Sequence, residues 1–163
     1  MKRILLMSDT HSYYDERMLH YSEKHDEIWH AGDWGDVNVY DKLSVVRPVK
    51  GVYGNIDELE VKQVCPLNQL FECEQVLVLM THIAGYPGRY KPRVLELIKK
   101  HRPKLVIAGH SHILKVMYDK NLEHLHMNPG AIGQHGFQTN RTMLSFEING
   151  ADIANLNVIE FEK

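Results

Sequence analysis

Apolar residues fall along this chain in short runs, and most of the runs are closed by a tail that carries aspartate, asparagine or histidine. Five of them read as buried strands: Arg3–Met7, Glu27–Ala31, Val45–Tyr53, Val76–Met80 and Lys104–Ala108. Between some of them the spacing turns helical. Tyr14–Lys24 alternates polar and apolar residues on a helical scale, and Asp36 can cap a short helix that sets Val37, Tyr40 and Leu43 on neighbouring turns. The clearest helix is Pro92–Arg102. Its proline suits a first turn, Val94, Leu95, Leu97 and Ile98 make its apolar stripe, and Lys99-Lys100-His101 sits at the negative end of the dipole.

The last third changes character. Lys115–Tyr118 and Leu122–Met127 flank the turn-like Asp119-Lys120-Asn121, and Thr142–Ile148 and Ala151–Phe161 flank Asn149-Gly150, a strong hairpin signal. A βαβ-type first part followed by an antiparallel part predicts an α/β protein in which two packed sheets carry helices outside.

Length and composition narrow this. A chain of 163 residues fits a single domain over 1–163 and can bury a core without disulfide support. Cys65 and Cys73 form no C-x-x-C and no disulfide framework. The net charge of −2 argues against a broad grip on nucleic acid. No apolar run approaches membrane length, and the four apolar residues before Ser8-Asp9 are too few for a signal-peptide core. The expected setting is cytoplasmic, with no membrane partner. Eleven histidines are many for this length, so their positions matter.

The first run ends in Ser8-Asp9-Thr10-His11, the second in Gly32-Asp33, the third in Gly54-Asn55-Ile56-Asp57, the fourth in Thr81-His82 and the fifth in Gly109-His110-Ser111-His112. Ligands of open α/β sheets sit beyond the carboxyl ends of the strands, so five strand ends deliver these groups to one rim. Residues i and i+2 of extended chain point to one side, which lets Asp9 and His11 reach one centre and His110 and His112 face one pocket. The glycines at 32, 54 and 109 permit close approaches that a side chain would block. Each tail alone is an ordinary turn or cap, but five successive tails would need five independent coincidences. Mixed imidazole and carboxylate donors suit manganese, nickel, zinc or iron better than calcium.

In this order the tails resemble the calcineurin-like metallophosphoesterases, closest to their small single-domain prokaryotic phosphodiesterase branch. The family pattern is D-x-H, G-D, G-N, a histidine after a strand, and G-H-x-H, and Asn128-Pro129-Gly130-Ala131 matches a late N-P-G-S segment except in its last place. The resemblance implies a four-layer αββα double β-sandwich and two divalent transition-metal ions, manganese foremost. It implies that Asp9, His11 and His112 hold one metal, that Asn55, His82 and His110 hold the other, and that Asp33 bridges them. The implied reaction is hydrolysis of a small phosphate ester, a diester by preference, through in-line attack of a bridging hydroxide.

Four points stay open at this stage. Asp57 either orients the Asn55 segment or a histidine ligand, or serves a surface turn. Ile56 stands where relatives carry a histidine or cysteine able to protonate the leaving group. Either the substrate has a good leaving group or another histidine acts, and His135 is the candidate against a plain loop role. Arg89, Tyr90, Lys91 and Arg93 form a basic, aromatic loop that either selects phosphate or is merely solvated. His30, His124 and His126 read as structural strand residues, and His20, His25 and His101 as helix-surface residues. Competing functions are a phosphomonoesterase with the same centre, a nuclease, and a scaffold module with little activity; homo-oligomerisation is compatible with all of them.

Overall fold

Successive residues of the first strand, β1 (Lys2–Met7), are buried in different layers, and this alternation sets the architecture of the computed structural model, which describes residues 1–163. Ile4 and Leu6 enter one core, Leu5 and Met7 another, and all four are fully buried. β1 pairs in parallel with β2 (Glu27–His30), and β2 with β3 (Val49–Gly51). On its other side β1 meets β9 (Asn140–Asn149) antiparallel, and β9 meets β10 (Asp152–Glu162), the two joined through Asn149-Gly150 as the hairpin signal requires.

A second five-stranded sheet has the order β4-β5-β6-β8-β7. Its strands β5 (Val76–Thr81), β6 (Leu105–Ile107) and β8 (His124–Pro129) are parallel, and β4 (Asn68–Cys73) and β7 (Leu114–Asp119) are antiparallel edges. Trp29, Leu144 and Phe146 join Ile4 and Leu6 between the sheets, against Val78, Met80, Ile107 and Met127. Outside the first sheet, α1 (Glu16–Glu23), α2 (Asn38–Ser44) and α3 (Leu59–Lys62) lay Met18, Val39, Leu43 and Val61 on Leu5, Met7 and Ile28. Outside the second, α4 (Pro92–His101) lays Val94 and Ile98 on Leu79 and Val106. The layers are therefore helix, sheet, sheet, helix, as expected. A fully buried side chain of this size contributes roughly 1.5–3 kcal/mol, so three such cores hold the layers in fixed register.

The structure departs from the sequence reading in places. Val45–Tyr53 is not one strand. α2 runs to Ser44, and the amides of Val46 and Arg47 still bond to the Leu43 carbonyl, so Val45 is left 85% exposed and only Val49–Gly51 pairs. Pro48 follows the helix end and prevents the ladder from starting earlier. α1 begins at Glu16, because Asp15 accepts from the Met18 amide at 3.0 Å and caps it there. The residue preceding α2 is Val37, although Asp36 does accept from the Asn38 amide. β4 and α3 lacked a signal: β4 is an edge strand with Leu70 exposed, and α3 is a single turn. His25 is not on a helix surface. It is buried past the end of α1, bonded to the Tyr21 carbonyl and the Ser145 hydroxyl.

Candidate metal centre

Since β1, β2 and β3 run parallel, as do β5 and β6, their carboxyl ends open on the same side, and five loops bring their polar tails together there. Two groups result. Ligand-capable atoms of Asp9, His11 and His112 lie within 4.8 Å of one another, and so do those of Asp33, His82 and His110. Asp33 faces both groups, its Oδ2 standing 3.1 Å from His82 Nε2 and 3.5 Å from His11 Nε2. Asp9 Oδ1 lies 3.3 Å from His112 Nε2. Asn55 Oδ1 approaches His110 Nδ1 to 3.0 Å at the exposed end of the second group.

These residues come together, but not by the i, i+2 geometry of extended chain. These residues have left the strands, and Asp9, His11, Asp33, His110 and His112 all have positive φ, between 44° and 74°. Left-handed backbone costs a non-glycine residue roughly 1–3 kcal/mol, so the loops are held there by their bonding. Ser8 Oγ donates to Asp9 Oδ2 at 2.6 Å, and the His110 amide donates to the same oxygen. Asp9 Oδ1 is thereby left for the centre. Gly32 contacts His82, while Gly54 and Gly109 lie against Asp33 and Ser8 so closely that a Cβ on either would collide.

Two supporting residues, Thr10 and Gln138, were given no role from sequence, and a third, Asn128, was noted only as part of the late N-P-G segment. Thr10 Oγ1 contacts His30 Nε2 at 3.1 Å and donates to the Trp34 carbonyl at 2.9 Å, tying the Asp9 loop to the Asp33 loop. Asn128 donates to the Gly109 carbonyl and the Ser111 hydroxyl, and Gln138 Oε1 accepts from His112 Nδ1. No spacing rule assigns such residues a role, because each bonds to a loop distant in sequence. His30, read as structural, accepts from the Gly32 amide through Nδ1 and stacks on Trp34 at 3.6 Å; burial lowers its pKa to about 3, so it stays neutral. Asp57 accepts three amides, from Trp34, Gly35 and Gly54, and contacts no histidine ligand. Of the basic loop, Arg93 braces Asn68, Thr81 and the Ile83 carbonyl, and Lys91 lines a small cavity with His110 and the preceding Tyr86.

Charge in the site favours a cation. Burial raises the Asp9 and Asp33 carboxyl pKa values, but the imidazoles beside them outweigh burial and hold both below the usual carboxylate value. His82 is raised despite burial by Asp33 and Asp9, and His112 is raised chiefly by Asp9. Positive charge is thus drawn between the two carboxylates. Asp9 Oδ1, His11 Nε2 and His82 Nε2 are buried without a hydrogen-bond partner, a costly arrangement for a protein unless the atoms serve as ligands. The donor set fits two divalent cations of the transition series.

His11, Asp33, Asn55, Ile56, His112 and His135 share a cavity of about 280 Å³ above these groups, and His135 stacks on His11 at 4.6 Å. Ile56 and Ser12 also border a second cavity, about 480 Å³, edged by Asp36, Glu58 and Glu60.

Solved structures share this arrangement of sheets. Zinc-complexed Vps29 from Entamoeba histolytica superposes with a TM-score of 0.74 at 15% identity, covering 98% of both chains. A Thermotoga maritima protein gives 0.76 at 23% identity, covering 99% of this chain and all of its own. An archaeal phosphodiesterase gives 0.71 at 20% identity, covering 96% and 99%. At these identities the likeness is one of fold. No curated protein sequence matches the chain. The calcineurin-like phosphoesterase superfamily domain matches residues 1–151, a stretch that includes every polar tail described above. The chain belongs to the calcineurin-like phosphoesterase superfamily.

Proposed function

We propose that the protein is a metal-dependent phosphoesterase that hydrolyses a small phosphate ester, a diester by preference. The observation that carries this is the placing of Asp33, whose one oxygen faces a histidine of each donor group. Asp9, His11 and His112 would hold one cation, Asn55, His82 and His110 the other, and Asp33 would bridge them. When bound, such a pair supplies Lewis acidity to the phosphoryl oxygens and lowers the pKa of a water towards neutrality. Ser8, Thr10, Gln138 and Asp57 keep the donors in place before substrate arrives, so no reorganisation is needed during reaction. His135, on the wall of the same cavity, is the group in reach to hand a proton to the leaving oxygen.

One observation favours a metal-binding interaction module instead: Ile56 lines the cavity and can transfer no proton. Metal-free protein given manganese, nickel, zinc or magnesium singly, and assayed on bis-p-nitrophenyl and p-nitrophenyl phosphate, separates the readings. Cation-dependent turnover that Asp33→Ala abolishes supports the enzyme, and the substrate ratio sets diester against monoester. Cation binding without turnover supports the module.

A further inference from the structure

Phe137 is fully exposed, whereas the other three phenylalanines are buried or half-buried. Its segment gives the ring little room to retreat. Gln138, next to it, donates to the Gly133 and His135 carbonyls and accepts from His112, and Gly136 packs against the His112 ring. Phe137 therefore stands on a strut fixed to a proposed metal ligand, and it lines the 280 Å³ cavity. Ile56, 41% exposed, lines the same cavity from the loop after β3. Its amide donates to Asp33 Oδ1 at 3.1 Å, which registers it against the carboxylate shared by both donor groups. Two apolar side chains from separate loops thus border the space above the metal ligands, and nothing in the chain covers Phe137.

The geometry points to a subsite for a planar aromatic group: the substrate carries an aryl or nucleobase moiety on its phosphate, stacked on Phe137 and packed against Ile56. The inference rests on the phosphoesterase reading and narrows it. An exposed ring on a fixed strut offers its flat face to a planar aromatic group, and stacking of that kind accepts any base or aryl ring. The carboxylates of Asp36, Glu58 and Glu60 beyond Ile56 repel a further phosphate, so a single aromatic unit fits better than a polynucleotide.

The test measures equilibrium binding to manganese-loaded protein by calorimetry with two matched pairs. The first is phenylphosphonate against cyclohexylphosphonate, and the second is the phosphonate analogues of adenosine monophosphate and of ribose phosphate. The aromatic member of at least one pair should bind tighter by roughly 5- to 100-fold, the span that one stacked ring supplies. Preference in the first pair alone identifies an aryl ester, and preference in the second a nucleoside ester. Phe137→Ala should remove the difference while leaving the saturated ligand unchanged, and Phe137→Trp should restore it. With bis-p-nitrophenyl phosphate, Phe137→Ala should raise KM and leave kcat within about two-fold, as loss of uniform binding does. Equal affinity within both pairs, or equal weakening of both members by Phe137→Ala, overturns the subsite while turnover sensitive to Asp33→Ala keeps the phosphoesterase reading. No turnover by the wild type with any added cation overturns both.

Discussion

His82 donates from Nδ1 to the carbonyl oxygen of Ala31 at 2.7 Å. The bond holds a proton on Nδ1 and turns Nε2, the atom free to serve as a ligand, into the site 3.1 Å from Asp33 Oδ2. It also joins the loop after β5 in the second sheet to the loop after β2 in the first, so the centre is assembled across the seam between the sheets.

Gly32 is what lets this bond form. Its φ of 101° is in the region that favours glycine, and a Cβ there would lie 2.7 Å from His82 Nδ1. Gly32→Ala should therefore push the imidazole out of position rather than unfold the chain. Metal analysis after loading with manganese should find about one ion per chain in the variant against two expected in the wild type. A variant that keeps both would show that His82 is not held by this contact.

Asp57 offers a second handle on the same loops. Its carboxylate accepts amides from Trp34, Gly35 and Gly54, one of them at 2.8 Å. Asp57→Asn turns an amide NH₂ toward buried N–H groups, and leaving such donors unsatisfied costs about 1–3 kcal/mol each. Thermal melting should register that loss, and manganese affinity should fall by about 10- to 100-fold, as removal of a supporting partner does elsewhere. Lower stability with unchanged affinity would make Asp57 a turn brace alone.

His135 faces a different assay. It stacks on His11 and lines the cavity, while Ile56 beside Asn55 has no proton to give. His135→Ala should slow hydrolysis of a methyl ester by about 100-fold or more, the usual scale of general-acid help, and slow a p-nitrophenyl ester far less. Equal slowing of both esters would assign His135 to positioning.

These residues show what the sequence made legible. The tails Asp9-x-His11, Gly32-Asp33, Gly54-Asn55, His82 and Gly109-His110-x-His112 follow apolar runs, so the parallel strands and the gathering of these donors at one rim were both readable. Val45–Tyr53 misled, because β-branched residues also fit the end of a helix, and only the Leu43 carbonyl bonds decide between them. β4 gave no signal since an edge strand need not be continuously apolar. The supporting roles of Thr10, Asn128 and Gln138 were missed for another reason, although Asn128 stood in the N-P-G motif. Each ties a ligand-bearing loop to a residue distant in sequence, and polar residues of that kind are common in any loop.

His124 and His126 looked idle as alternate residues of a strand, yet both are buried, and they share the Tyr90 hydroxyl at 2.7 and 2.8 Å. A hydroxyl has one proton, so it donates to one ring and accepts an N–H from the other. Burial lowers the pKa of both histidines, and for His126 the charges of His124 and Lys115 add to it against Asp119, bringing it to about 4. Burial raises the Tyr90 hydroxyl, which stays neutral. Unfolded His126 takes up its proton near its ordinary value of 6.5, while the folded chain resists until about 4. Its contribution is therefore complete above pH 6.5 and is lost as the pH falls through that window, in total about 3 kcal/mol from His126. Urea unfolding of the metal-free protein at a series of pH values should show stability declining over this range. His126→Gln cannot titrate, so its stability should decline less steeply than that of the wild type. Tyr90→Phe, which strands both rings, should cost about 1–3 kcal/mol even at neutral pH. Parallel curves for wild type and His126→Gln would move the acid sensitivity to other groups and leave the Tyr90 bonds as the cluster's only contribution to stability.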